Sequence, residues 1–195
     1  LNQSDIDLII QWIDEGALET PAVEYSGPVW YIATTGSDET GDGSEQNPYA
    51  TIQKGVNVAT ELDTVYVSNG IYDGGIVITD KVISLIGESR EETKLNQPIS
   101  LPQISIIGCQ TDTTRVKNFN VAHGSSANGG GIYSSESIVE VDNIDFYDNF
   151  SSNKGGAINS NESTVIVQNS TFNLNSCNSL GGAIYVDALS ICKIY

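Results

Sequence analysis

Methionine is missing from all 195 residues, histidine occurs once, arginine twice, and Lys and Arg together number eight against twenty-five Asp and Glu. The missing residues include an initiator, so the chain is read as an interior piece of a longer protein whose leader, if it has one, lies elsewhere. The shortage of cations leaves a formal charge of −17, which is expected to repel polyanions over the whole surface. That argues against a nucleic-acid partner and against anionic lipid. The same charge would favour Ca²⁺ or cationic partners, but solubility in a salty, screened medium is the preferred account of it. No run approaches the ~18 apolar residues of a spanning helix, so no membrane span is expected. Cys109, Cys177 and Cys192 are odd in number and stand at no metal-ligand spacing. They indicate neither a zinc site nor a disulfide framework, and are read as small buried hydrophobes.

Two regions differ in character. Residues 1–28 are read as an N-terminal helix and linker. In "LNQSDIDLIIQWIDEG", Ile6, Ile9, Ile10 and Ile13 recur at helical spacing, Ser4 and Asp7 form a capping box, and Gly16 is a stop. The helix is either the tail of a preceding domain or a piece docked on the next one. Pro21, Gly27 and Pro28 mark the linker. From Val29 onward the chain consists of short β-branched runs such as "TVYV", "GIVI" and "VISLIG", punctuated by Gly, Asn, Asp and Ser. These are strand-and-turn patterns. One short helix is predicted around Ile52, Val56 and Ala59, which share a face.

A repeat decides the architecture. Gly129-Gly130-Gly131-Ile132, Gly155-Gly156-Ala157-Ile158 and Gly181-Gly182-Ala183-Ile184 recur at a spacing of 26, and Val139, Val141, Phe146 and Asn149 fall on Val165, Val167, Phe172 and Asn175. A period in the twenties means one solenoid turn per unit. Twenty-six residues are too few for two helices and a turn, and "STVIVQNSTF" is strand-forming, so the fold class is all-β, a parallel β-helix spanning 29–195 with 26-residue repeats from 129. Ile158, Val165, Val167 and Phe172 are expected to stack inward on their counterparts. Gly155-Gly156 should turn a corner, and Asn149 should ladder with Asn175. The last unit stops at Tyr195, which leaves the β-helix open-ended and apparently truncated, with further turns expected in the parent chain.

Residues 30–87, with "YIATTGSDETGDGSEQNPYATIQKGVNVATELDTVYVSNGIYDGGIVI", resemble the opening of right-handed parallel β-helix proteins of the pectin-lyase-like superfamily, in which a short helix caps the first coil. Residues 129–195, with paired GGAI and Phe-x-x-Asn motifs, resemble the repeats of polymorphic outer-membrane proteins. The second resemblance implies an extracellular or surface-displayed passenger with a structural, adhesive or glycan-binding role, and polysaccharide or cell-surface components as partners. The first implies an alternative, a polysaccharide lyase or glycoside hydrolase with its active turns partly outside this segment.

Candidate chemistry is sparse. No cofactor is indicated beyond Ca²⁺, for which Asp38 and Asp42 in the Gly-rich loop "GSDETGDGS" are the candidate ligands, without the pattern of an EF-hand. Asp142, Asp145 and Asp148 in "EVDNIDFYDNF" form the candidate acidic or carbohydrate cluster, with Asp145 outward on a strand and the other two near corners. Their equivalents one turn on are Gln168, Thr171 and Leu174, so no wall of carboxylates is expected. Arg90 reads as a turn residue, Arg115 as a surface residue paired with Asp112, and His123 as a loop histidine.

Overall fold

The computed structural model describes residues 28–96 and 98–195. The expected helix over 1–16 and most of the linker lie outside the described residues. Strand β1 (Val29–Ile32) is followed by the short helix α1 (Ile52–Val58), the one helix among the described residues. The first complete coil is β2 (Thr64–Val67), β3 (Gly70–Tyr72) and β4 (Ile76–Thr79), and the second is β5 (Ser84–Gly87), β6 (Thr93–Leu95) and β7 (Ile104–Ile107). The third is β8 (Thr113–Ala122), β9 (Ser125–Asn128) and β10 (Ile132–Ser135), and the fourth is β11 (Ile138–Tyr147), β12 (Phe150–Lys154) and β13 (Ile158–Asn161). The fifth runs β14 (Thr164–Gln168), β15 (Thr171–Asn173), β16 (Ser176–Cys177) and β17 (Ile184–Val186), and β18 (Ile191–Ile194) begins the next.

Every strand pairing is parallel and joins neighbouring coils, which makes the chain a parallel β-solenoid of about five turns. The longest sheet runs β1-β2-β5-β8-β11-β14-β18, a second runs β4-β7-β10-β13-β17, and a third, of three strands, is β9-β12-β16. The expected register is the observed one. Val139 pairs with Val165, Val141 with Val167, Phe146 with Phe172 and Ile132 with Ile158. Stacking identical apolar side chains at the ~4.8 Å strand spacing fills the interior without voids. Phe146 and Phe172 lie 5.0 Å apart and nearly parallel. Phe172 is inward but only half-buried, because β15 pairs with β11 on one side and with no described strand on the other.

Corners are made by left-handed residues in columns. Gly129, Gly155 and Gly181 have φ of 67°, 65° and 71°, a region open to glycine at no steric cost. A second column, not foreseen from sequence, is Asn118, Asn143 and Asn169, at φ 61°, 56° and 49°. Asparagine tolerates this conformation because its short side chain bonds locally. It bends β8 and β11 in mid-strand, and Asn143 Nδ2 donates to Asn118 Oδ1 at 2.9 Å. The predicted ladder is also present: Asn149 Nδ2 donates to Asn175 Oδ1 at 3.0 Å and to Val121 O at 2.8 Å, while Asn149 Oδ1 accepts from Gly124 N–H. A hydroxyl ladder runs at the opposite corner of the long sheet, before β8, β11 and β14, with Cys109, Ser137 and Ser163 N–H donating to Ser137, Ser163 and Ser190 Oγ. The 26-residue period breaks at the last step, where Val165 pairs with Cys192, twenty-seven residues on.

The first coil is closed differently. Tyr31 N–H donates to Gly43 O and Tyr31 O accepts from Tyr49 N–H, so the 43–49 loop covers the free edge of β1. Gln53 of α1 both accepts from Val77 N–H and donates to Val77 O, standing in for a strand beside β4. Ile52 and Val56 are buried under the coil. Cys109 is buried and Cys177 and Cys192 are half-buried, all three free. No helix among the described residues is long and apolar enough to cross a membrane.

Candidate functional site

The outer face of the long sheet carries most of the candidate residues. Alternation along β11 turns Val139 and Val141 inward, so Glu140 and Asp142 face out, above Arg115 and Lys117 of β8. Arg115 Nε stands 3.2 Å from Glu140, and Lys117 Nζ lies 3.1 Å from Glu140 and 3.5 Å from Asp142. Arg115 therefore pairs with Glu140 and not with Asp112, because parallel register sets the two side by side whereas Asp112 accepts locally from Thr113 N–H. Asp142 also accepts from Asn169 Nδ2 at 2.8 Å. Further along, Asp145 accepts from Asn120 Nδ2 and from Thr171 Oγ1. Asp148, at a left-handed corner with φ 50°, meets His123 Nδ1 at 3.2 Å, and the histidine ring stands edge-on to Tyr147. The three aspartates thus bond to different partners on neighbouring coils. Arg90 sits in the turn after β5 and donates to Asn169 O at 3.4 Å.

At the other end of the same face, Tyr31 and Tyr66 lie with ring centroids 5.6 Å apart and planes tilted by 58°. Burial, with the Glu88 carboxylate nearby, pushes the Tyr66 hydroxyl above its ordinary pKa. A cleft of about 390 Å³ opens between α1 and the β3–β4 turn, lined by Thr34, Thr51, Gln53, Tyr72 and Asp73 among others. Burial pushes the Tyr72 hydroxyl up to about 12, and it donates to Ser68 O.

Asp38 and Asp42 occupy the loop over β1, and their oxygens serve the loop itself. Asp38 Oδ1 accepts from Ala50 and Thr51 N–H at 2.8 and 3.0 Å, and Oδ2 from Thr51 Oγ1 at 2.6 Å. Burial opposes ionisation of Asp38, but these hydrogen bonds from Thr51 and Ala50 outweigh it and hold the carboxyl below its ordinary value. Asp42 is held low by Ser44, whose N–H it accepts at 2.9 Å. Among the described residues no group of three or more His, Cys, Asp or Glu is arranged to hold a metal ion.

Charge is not spread as composition alone suggests. Seventeen of the twenty-five acidic residues precede Thr93, and only eight follow, among five of the eight cations. The expectation of a uniformly repelling surface is therefore corrected: the later coils are close to neutral.

Two stretches match the Chlamydia polymorphic membrane protein repeat, residues 143–161 and 169–187. Each begins at a left-handed asparagine bend, Asn143 or Asn169, and runs through Phe-x-x-Asn and the glycine corner into the second sheet, so the matched unit is three sides of one coil. The chain is thus a β-helix with polymorphic-membrane-protein-like repeats on its fourth and fifth coils. No curated protein and no solved structure matches the chain.

Every residue the repeats share has a stacking duty. Phe146 and Phe172 fill the core, Asn149 and Asn175 ladder, and Gly155 and Gly181 turn the corner. The shared letters build the scaffold, and the outward side chains between them are free to differ. The Asn118 column and the Ser137 ladder were legible at the same 25–27-residue spacing, but only once αL geometry and backbone partners were assigned to them.

Proposed function

We propose that this β-helix is displayed on a bacterial outer surface as a passenger whose outward side chains make adhesive contact with glycans or other cell-surface components. The observation that carries this reading is the position of the repeat matches: they fall on two stacked coils in which every shared residue is consumed by stacking. Such a scaffold keeps its fold while its surface varies, which suits a displayed contact surface. Columns of outward side chains recur at the coil spacing, so a chain-like ligand lying along the axis meets the same kind of group at each step.

The opening of the solenoid, with α1 closing the first coil, supports kinship with the pectin-lyase-like β-helices as well. The enzymatic alternative is less well supported, since two cations of the long face, Arg115 and Lys117, are tied to Glu140 and Asp142. A catalytic base needs to reach its proton unencumbered.

The test is surface shaving: intact cells of the source organism are treated with protease and probed with antibody raised against residues 28–195. Loss of the antigen from unpermeabilised cells, and binding of beads coated with the chain to host cells, are expected. Antigen protected until the cells are opened, or beads that bind no better than uncoated ones, sinks the reading.

A further inference from the structure

One side of the regular coils is free of acid. Residues 124–135, 149–161 and 176–186 contain no Asp or Glu. They form the third sheet, β9-β12-β16, the glycine corner, and the second sheet through β10, β13 and β17. In a chain of net charge −17 this is a marked gap. The acids of these coils are confined to the flanking corners, at Asp148 on one side and Glu136, Glu162 and Asp187 on the other, and to the outer face of the long sheet.

The side is furnished with amides, a phenol and one ammonium. Tyr133, Asn159 and Tyr185 share a column, in register one coil apart. Asn128 Oδ1 accepts from Asn153 Nδ2 at 3.2 Å and from Asn159 Nδ2 at 3.5 Å. Lys154, the single cation within these stretches, stands over the Tyr185 ring at 4.5 Å, with its Nζ 3.2 Å from the Tyr185 hydroxyl. Tyr185 therefore positions the ammonium, while two of the three donors of Nζ remain for another acceptor. The distance along the column from Tyr133 to Tyr185 is two coils, about 9.6 Å at the strand spacing, on the scale of two linked sugars.

We propose that this side binds a glycan made of neutral sugars and ending in one carboxylate-bearing sugar. The carboxylate pairs with Lys154, a neutral ring lies on Tyr133, and hydroxyls bond to the Asn128 and Asn153 amides, which the buried Asn159 amide holds in place from beneath. One cation on an otherwise uncharged surface matches one anionic group, and a densely charged polymer would run into the acidic corners. The inference deepens the adhesive reading by naming a ligand class and a face, and takes its biological setting from that reading.

The experiment is titration calorimetry of the full 195-residue chain with a sialylated lactosamine oligosaccharide and with the same oligosaccharide after removal of its sialic acid. The sialylated form is expected to bind about tenfold more tightly, the value of one charge-assisted contact, and the preference should shrink with added salt. Lys154→Gln should abolish the difference between the two probes, and Tyr133→Ala should weaken both alike. Glu140→Gln, on another face, should change neither, and circular dichroism should show all three variants folded. Equal affinity for the two probes, no binding of either, or binding indifferent to Lys154→Gln and Tyr133→Ala overturns the proposal. Because the measurement uses purified protein, it fails or succeeds independently of the shaving experiment.

Discussion

In the long sheet, Thr64 pairs with Ser84, twenty residues on, and Ser84 with Arg115, thirty-one residues on. From there Arg115 pairs with Glu140 and Glu140 with Ile166, at twenty-five and twenty-six. The early coils are irregular in length and acidic, with their free edges covered by a loop and by Gln53. The later coils are regular, nearly neutral, and pinned by side-chain ladders at Asn118–Asn143, Asn149–Asn175 and Ser137–Ser163–Ser190. Both halves bury the same kind of Ile/Val/Leu/Phe core. Burial of apolar area is non-directional and fixes neither coil length nor register. Those are fixed by directional bonds, supplied once for all in the first coil and coil by coil in the later ones.

The comparison is broken most severely by attacking what the halves share. Val165→Asp places an unpaired carboxylate at a site 1% exposed, and should cost at least about 4 kcal/mol and abolish cooperative melting. A melting curve that barely moves shows the inward assignment to be wrong. Asn149→Ala removes a partner from Gly124 N–H and Val121 O beneath it. Stranding two buried groups should cost about 3 kcal/mol, with hydrogen-exchange protection lost first in the later coils. Uniform loss over the whole chain contradicts local pinning.

Gln53→Ala sharpens the other half. It frees the N–H and C=O of Val77 to water rather than to a dry interior, so the destabilisation should be about 1 kcal/mol and confined to the first coil, with exchange rising at Val77 alone. Asp38 bears on the same coil through pH. Its folded pKa lies below the ordinary value, so the unfolded chain takes up its proton first as pH falls. The stabilisation is complete well above pH ~4 and is lost as pH falls through the lower, folded pKa. Asp38→Asn should flatten the acid limb of a stability-against-pH curve, and an unchanged limb refutes the assignment. Arg115→Ala should have the smallest effect, a few tenths of a kcal/mol by chemical denaturation, because the pair with Glu140 is open to solvent on the arginine side.

How much was legible follows from the same division. Repetition at a fixed period exposed the GGAI corner, the Val and Phe stack and the Asn149 ladder, since a solenoid places equivalent letters on top of one another. The expected helix was found because Ile52 and Val56 repeat at helical spacing. The partner of Arg115 was misjudged because sequence proximity favoured Asp112, while the interaction depends on the coil above. The extra residue before Cys192 escaped notice because it falls in a turn, after the last glycine corner. The aspartates 142, 145 and 148 look like one cluster in sequence and take different partners in the fold, since the Asn143 bend lies between the first two and a corner follows Tyr147.

What the sequence determined by itself is the parallel stack, because periodic apolar and amide positions admit no other arrangement that satisfies both burial and backbone hydrogen bonding. It also carried the charge partition, seventeen acids before Thr93 and eight after. Which side of the coil those later acids occupy was decided only in three dimensions. The left-handed turns at Asn143, Asp148, Gly155 and Glu162 set the four corners of a coil. Corner positions dictate which stretches share a face, and so gather Asn128, Tyr133, Lys154, Asn159 and Tyr185, scattered over fifty-eight residues, onto one acid-free side.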